Sequence, residues 1–131
     1  DTGRAPRVHF ESKIESLECE FSPSVRVVVV DNLVDNARKA KAQEIWFTAQ
    51  PAQSKGKFEL RVSDDGQGFD LNRIDRDRVF EKHYTGTHNG TGLGLFHVAQ
   101  VLEEMGGGIR FDPKSDTVRA DFIITIPEKA P

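Results

Sequence analysis

Cysteine is almost missing from this chain: Cys19 stands alone among 131 residues. It cannot close an internal disulfide, and no Cys/His set has zinc-ligand spacing. A reducing compartment, the cytoplasm, is the expected location. Long apolar runs are missing too, the longest being Val27 to Val30, whereas roughly 20 residues are needed to span a bilayer. No basic-then-apolar leader opens the chain. An excess of one charge is also lacking, since 18 Lys and Arg face 21 Asp and Glu for a net charge of −3. That removes the electrostatic case for nucleic-acid binding or for membrane contact by this domain. Internal repeats and low-complexity tracts are absent. What is present suits a packed core: 37% hydrophobic residues, nine Phe among them, with 30% charged. The length fits one domain. The expected organisation is a flexible lead-in over residues 1–6 and a single domain over 7–131. The chain begins on Asp1 rather than Met, so we expect it to be cut from a longer polypeptide.

Periodicity supplies the elements. Arg7 to Phe10 and Leu17 to Phe21 read as short strands or a ragged hairpin. From about Pro23 to Lys41, Val25, Val28, Val29, Leu33, Ala37 and Ala40 recur at helical spacing behind a Ser22 or Ser24 cap. Glu44 to Ala49 and Phe58 to Ser63 alternate with a period of two about a polar turn through Gly56, which predicts a hairpin with one buried face and puts Asp64 on that face. Residues 65 to 92 form a Gly/Asp/Asn/Thr-rich stretch with a short helical possibility at Leu71 to Arg76, and loops of that length are usually functional. A second helix carries Leu95, Val98, Ala99, Leu102 and Met105 and is stopped by Gly106, Gly107 and Gly108. Strands follow at Ile109 to Phe111 and from Val118 through Ile126. Strands interrupted by helices without regular alternation imply a mixed or antiparallel sheet with its helices on one face.

Three polar motifs carry chemistry. Asn32 and Asn36, four residues apart, share a helix face with Val29, Leu33 and Ala40. Buried amides need partners, so they are either satisfied core amides or ligands offered to a pocket. Lys39, one turn on, brings an ammonium near the same face, or is simply a solvated charge. In Asp64-Asp65-Gly66-Gln67-Gly68 an inward carboxylate asks for a hydrogen-bond donor such as an exocyclic amine, while Gly66 and Gly68 permit close approach of a planar ring. The same pattern also reads as an ordinary turn after a strand. Gly90-Thr91-Gly92-Leu93-Gly94-Leu95 leads into a helix, where orphan amides and the helix dipole favour phosphate. Its spacing is neither that of a P-loop nor that of the dinucleotide fingerprint.

The order of these motifs resembles the GHKL ATP-binding family, shared by histidine kinases, gyrase, the heat-shock chaperone and mismatch-repair ATPases. Asn36 within Asp-Asn-Leu-Val-Asp-Asn-Ala-Arg-Lys-Ala is similar to its N box, Asp64 to Gly68 to its G1 box, Val79-Phe80-Glu81-Lys82 to its F box, and Gly90 to Leu95 to its G2 box. The resemblance implies an α+β fold: a two-layer sandwich of a mixed, mostly antiparallel sheet with about three helices on one face. It implies that Asn36 coordinates Mg²⁺ on the ATP phosphates, that Lys39 touches a phosphate, that Asp64 binds the adenine amine and that Gly66 and Gly68 shape the ring pocket. Gly90, Gly92 and Gly94 would wrap the phosphates with Thr91, Leu93 and Leu95 beside them. Glu81 to Asn89 would be the mobile lid, with Lys82 and Thr87 toward the nucleotide.

One position separates the branches of the family. Hydrolytic members place Glu four residues before the N-box Asn as a general base, and here that residue is Asn32, an amide that cannot take a proton from water. Asp31, five residues from Asn36, falls about 140° round the helix. The pattern is therefore closer to histidine kinases, with Asn32, Asn36 and Lys39 as the catalytic set. Two departures are Ala40, where an aromatic residue often follows the N-box Lys, and His83, where a second Phe is usual. His9, His83, His88 and His97 lie in no acceptor-like sequence. The implied function is to bind Mg-ATP and present its γ-phosphate to a histidine on a separate dimerisation and phosphoacceptor domain, as the cytoplasmic catalytic domain of a two-component sensor histidine kinase. Partners would be ATP or ADP, the acceptor helices and a response-regulator receiver domain. The alternative is a GHKL-type ATPase or an ATP-gated interaction module without kinase activity.

Overall fold

The described residues form seven elements: β1 (Arg7–Ser12), α1 (Pro23–Lys39), β2 (Glu44–Pro51), β3 (Lys57–Asp64), α2 (Gly94–Glu104), β4 (Gly108–Pro113) and β5 (Ala120–Pro127). The computed structural model describes residues 5–12, 23–53, 55–66, 78–82, 94–113 and 120–127. The strands make one sheet in the order β1-β2-β3-β5-β4. β1 runs parallel to β2 and every other pairing is antiparallel, so the sheet is mixed and mostly antiparallel, as expected. The first of the two stretches expected as short strands or a ragged hairpin is β1, seated parallel on β2. Leu17 to Phe21 and the Leu71 to Arg76 helix lie outside the described residues.

Register explains the two faces. Phe47 opposes Val62, which opposes Phe122, which opposes Phe111. This apolar row faces the buried stripe of α1 (Val29, Leu33, Ala37) and that of α2 (Val98, Leu102) in one core. Asp64 opposes Ile45, which puts its carboxylate at the helix-facing end of β3, where the alternation placed it. The opposite face is polar. On it, Arg61 of β3 pairs with Asp112 of β4 at 3.1 Å and Arg110 of β4 with Glu59 of β3 at 3.2 Å, both across β5. Ile123 of β5, in register with Arg61 and Arg110, is fully buried between these crossing pairs, consistent with the long apolar stems of arginine covering it. Asp121, also buried, accepts a 2.6 Å bond from Arg61. Burial works to lower the Arg61 pKa, but the bonds to Asp121 and Asp112 outweigh it and hold the guanidinium above its ordinary value.

Both helices end in the same cap, and one of them is strained. In α2, Gly107 N–H bonds Leu102 C=O and Gly106 N–H bonds Glu103 C=O, with Gly106 at φ 86°. In α1, Ala42 N–H bonds Ala37 C=O and Lys41 N–H bonds Arg38 C=O, with Lys41 at φ 63°. These are Schellman caps, and the left-handed position favours glycine. The apolar pattern extends α1 to Lys41, but the chain turns out of the helix after Lys39 because this cap satisfies the last carbonyls and buries Ala42. Lys41 is exposed, so its side chain contributes little to offset the left-handed cost. Lys41→Gly is expected to stabilise the domain by about 1 kcal/mol. A urea midpoint that fails to rise would show that Lys41 earns its place by a contact of its side chain.

Candidate functional site

One line along α1 organises the site. Asn32, Asn36 and Ala40 follow one another at four-residue intervals and so stack about 6 Å apart along the axis on nearly one face. Ala40 lies just past the helix but keeps its spacing, since its N–H bonds Asn36 C=O at 3.1 Å. The line is half-buried beside the fully buried Val29, Leu33 and Ala37.

At the Ala40 end the line meets the loop after β3. A Cβ built on Gly66 would lie 2.7 Å from Ala40 O and 3.0 Å from Ala40 Cβ, so only glycine allows this approach. Gly66 N–H donates to Asp64 Oδ1 at 2.8 Å, an Asx turn that aims the carboxylate along the strand end. Asp65 Oδ1 accepts from Gln43 N–H at 2.8 Å and Glu44 N–H at 3.0 Å, tying the α1–β2 connection to the end of β3. Sequence reading quoted Asp65 but gave it no role. Its only local signal was an acidic side chain next to a strand end, which does not reveal donors 21 and 22 residues away.

The Asn32 end meets α2. Asn32 Nδ2 donates to Val28 O at 2.7 Å, and a Cβ built on Gly94 would lie 3.0 Å from Asn32 Oδ1. Asn36 stands between the two contacts. Among the described residues its side-chain amide has no hydrogen-bond partner, in contrast with Asn32. It is thus a half-buried polar group on the line with no protein partner among the described residues.

Charges beside the line are internally paired. Asp35 Oδ1 accepts from Arg38 at 2.7 Å and Asp35 Oδ2 lies 3.2 Å from Lys39 Nζ. Burial raises the Asp35 pKa, but the bonds from Arg38 and Lys39 outweigh it and hold it below its ordinary value. Asp31 is exposed on the outer side of α1, where the 140° rotation put it. Neither carboxylate adjoins the amide of Asn36 as a free base.

Residues 78–82 dock on the sheet by their apolar pair: Val79 is buried and the Phe80 ring meets Phe122 edge-on at 6.0 Å. Glu81 is left outward in an ion pair with Arg78 at 3.2 Å. Lys82 Nζ lies 5.9 Å from the Phe96 ring centroid on α2. Leu95, in the first turn of α2, is half-buried and packs against the core. Of the expected site residues, Asn32, Asn36, Asp64, Gly66 and Gly94 are thus brought to α1 or its ends, Lys39 flanks it, and Lys82 and Leu95 belong to the α2 side. Gly68, Thr87, Gly90, Thr91, Gly92 and Leu93 lie outside the described residues. Among the described residues no group of three or more His, Cys, Asp or Glu could by itself hold a metal ion, and no helix is long and apolar enough to cross a membrane.

Comparison with known proteins places this arrangement. Residues 26–130 match the family described as histidine kinase-, DNA gyrase B-, and HSP90-like ATPase. The nitrogen regulation protein NtrY of Azorhizobium caulinodans is 29% identical over 96% of this chain and 17% of its own length. The sensor protein ChvG of Agrobacterium fabrum is 34% identical over 76% of this chain and 18% of its own. The chain therefore spans less than a fifth of each of these two relatives. Among solved structures, the mycobacterial sensor histidine kinase MprB superposes with a TM-score of 0.69 at 26% identity, over 95% of this chain and 86% of that one.

Proposed function

Since this chain belongs to the histidine kinase-, DNA gyrase B-, and HSP90-like ATPase family, whose members bind ATP, we propose that it lays Mg-ATP along α1 and presents the γ-phosphate to a histidine on a separate helical acceptor domain, as the cytoplasmic catalytic domain of a two-component sensor histidine kinase. The observation that carries this reading is the line on α1. It has a carboxylate and a close-approach glycine at one end, a helix N-terminus at the other, and between them an amide with no hydrogen-bond partner among the described residues.

Each residue then has a task. Asp64 accepts the adenine amine, and Gly66 with Gly68 lets the ring approach the backbone. The Asn36 carbonyl oxygen is a hard donor suited to Mg²⁺, which takes one or two protein ligands and otherwise phosphate and water oxygens. When bound, the ion neutralises charge on the phosphates. Gly90, Gly92 and Gly94 offer backbone amides to the phosphates, and Thr91, Leu93 and Leu95 belong to the same nucleotide-binding set. Lys82 and Thr87 complete it. Lys39 exchanges Asp35 for a phosphate. With both partners more than a third exposed, its pair with Asp35 is worth only about 0–1 kcal/mol, a weak hold against a multiply charged anion. The acceptor imidazole and the receiver domain that takes the phosphoryl group onward belong to other domains.

Asn36 is tested by its metal dependence. Calorimetry of ATP binding with and without Mg²⁺ should show stronger binding with the ion in the wild type, and Asn36→Ala should remove that gain while still binding adenosine. An equal Mg²⁺ effect in the variant would take Asn36 out of the metal's shell.

A further inference from the structure

We infer that Asn32 is a positioning residue: a hydrogen-bonded spacer that sets how far the first turn of α2 stands from α1, and so where the helix amides meet the nucleotide. The inference rests on the reading of that turn as the polyphosphate end of the site.

Two contacts carry it. Asn32 Nδ2 donates to Val28 O at 2.7 Å, which settles the orientation of the amide, because the reversed group would set oxygen against oxygen. Oδ1 is therefore the atom turned outward, and it faces Gly94: a Cβ there would lie 3.0 Å from Oδ1, 3.6 Å from Cγ and 3.8 Å from Cβ of Asn32. The α2 backbone thus rests on the whole side chain. The side chain cannot swing aside without giving up its bond to Val28 O and leaving a half-buried amide unpaired. Alanine at position 32 would leave a gap for α2 to settle into, and leucine would fill the space without an anchor.

The same contacts separate Asn32 from a reacting role. An amide neither gives nor takes a proton near neutrality, and its donor is already spent on its own helix. Asn36, one turn further, keeps its amide for the ligand. One residue of the pair faces the nucleotide and the other holds the second helix in place for it. Orphan N–H groups in the first turn of α2 act on an anion only at hydrogen-bond range, so a displacement of less than an ångström at Gly94 changes phosphate binding and leaves the adenine end, on the β3 side, untouched.

The test compares ADP with adenosine by calorimetry in wild type, Asn32→Ala, Gly94→Ala and the double variant. Gly94→Ala forces a Cβ against Oδ1 and should weaken ADP about tenfold while adenosine changes by no more than about twofold. Asn32→Ala in that background should recover most of the loss, since the methyl then has room. Asn32→Ala alone should lower the ratio of ADP to adenosine affinity, which keeps the inference testable if Gly94→Ala does not fold. Losses that multiply in the double variant, a parallel fall for adenosine, or ADP affinity intact in Asn32→Ala with phosphotransfer reduced at saturating ATP would each overturn the spacer. A wild-type chain that binds no ADP would overturn the nucleotide reading itself. Wild-type binding with an indifferent Asn32→Ala overturns the spacer alone.

Discussion

Asp64→Asn is expected to weaken ADP binding by one to two orders of magnitude. The bond from Gly66 N–H to Oδ1 survives, because an asparagine oxygen accepts it equally well. What changes is the other half of the group, where a carboxylate oxygen becomes an amide N–H₂. A donor then faces the donor of adenine, and a charge-assisted hydrogen bond worth about 1.5–3 kcal/mol is lost. Calorimetry with ADP, alongside thermal melting of the empty domain, reads the two effects separately. Unchanged affinity would remove Asp64 from the adenine pocket. Weaker affinity with a matching fall in melting temperature would make it a residue of the fold.

Incubated alone with labelled ATP, the chain should stay unlabelled and turn ATP over slowly. Attack on the γ-phosphate needs a nucleophile in line and, for water, a base to take its proton, and general-base help is typically worth about 10²–10⁴-fold. At the base position stands Asn32, held on Val28 O. Asp35 is engaged by Arg38 and Lys39, and Asp31 is turned to solvent. A neutral imidazole needs no such base, so positioning and charge neutralisation suffice once one is brought in line. Adding a helical hairpin that carries an acceptor histidine should yield a phosphohistidine, acid-labile and base-stable. Stable label on the chain alone, or brisk hydrolysis that vanishes in Asp31→Asn, would shift the assignment to the hydrolytic branch.

Much of the fold is legible in the residues alone, and the reason differs from element to element. The period of two in Phe58, Leu60 and Val62 is a statement about neighbours along the chain, and it correctly carried Asp64 to the helix-facing side. The stripe of Leu95, Val98, Leu102 and Met105 likewise needed only helical spacing and ended where Gly106 accepts a left-handed turn. Asn36 stands out by its place on a helix face, and Gly66, whose Cβ would meet Ala40 O at 2.7 Å, by the freedom of its backbone. The end of α1 was misplaced by two residues because lysine at a left-handed cap carries no local mark. Only the satisfaction of the Ala37 and Arg38 carbonyls makes it favourable there.

By itself the sequence determined which of the described segments are helix and strand and which face of each is apolar, because periods of 2 and 3.6 and turn chemistry act over a few residues. Tertiary structure alone decided the parallel seating of β1 on β2, the Asp65 clasp on Gln43 and Glu44, and the contact of Gly94 with Asn32. Those depend on groups far apart in the chain coming together, by hydrogen bonds in the first two cases and by contact in the third, and which distant groups meet is settled by the packing of α1 and α2 on the sheet. Two asparagines one turn apart look alike in sequence; a Cβ on Gly94 would meet the side chain of Asn32 first, and that contact is what leads us to propose Asn32 as a support and Asn36 as a ligand.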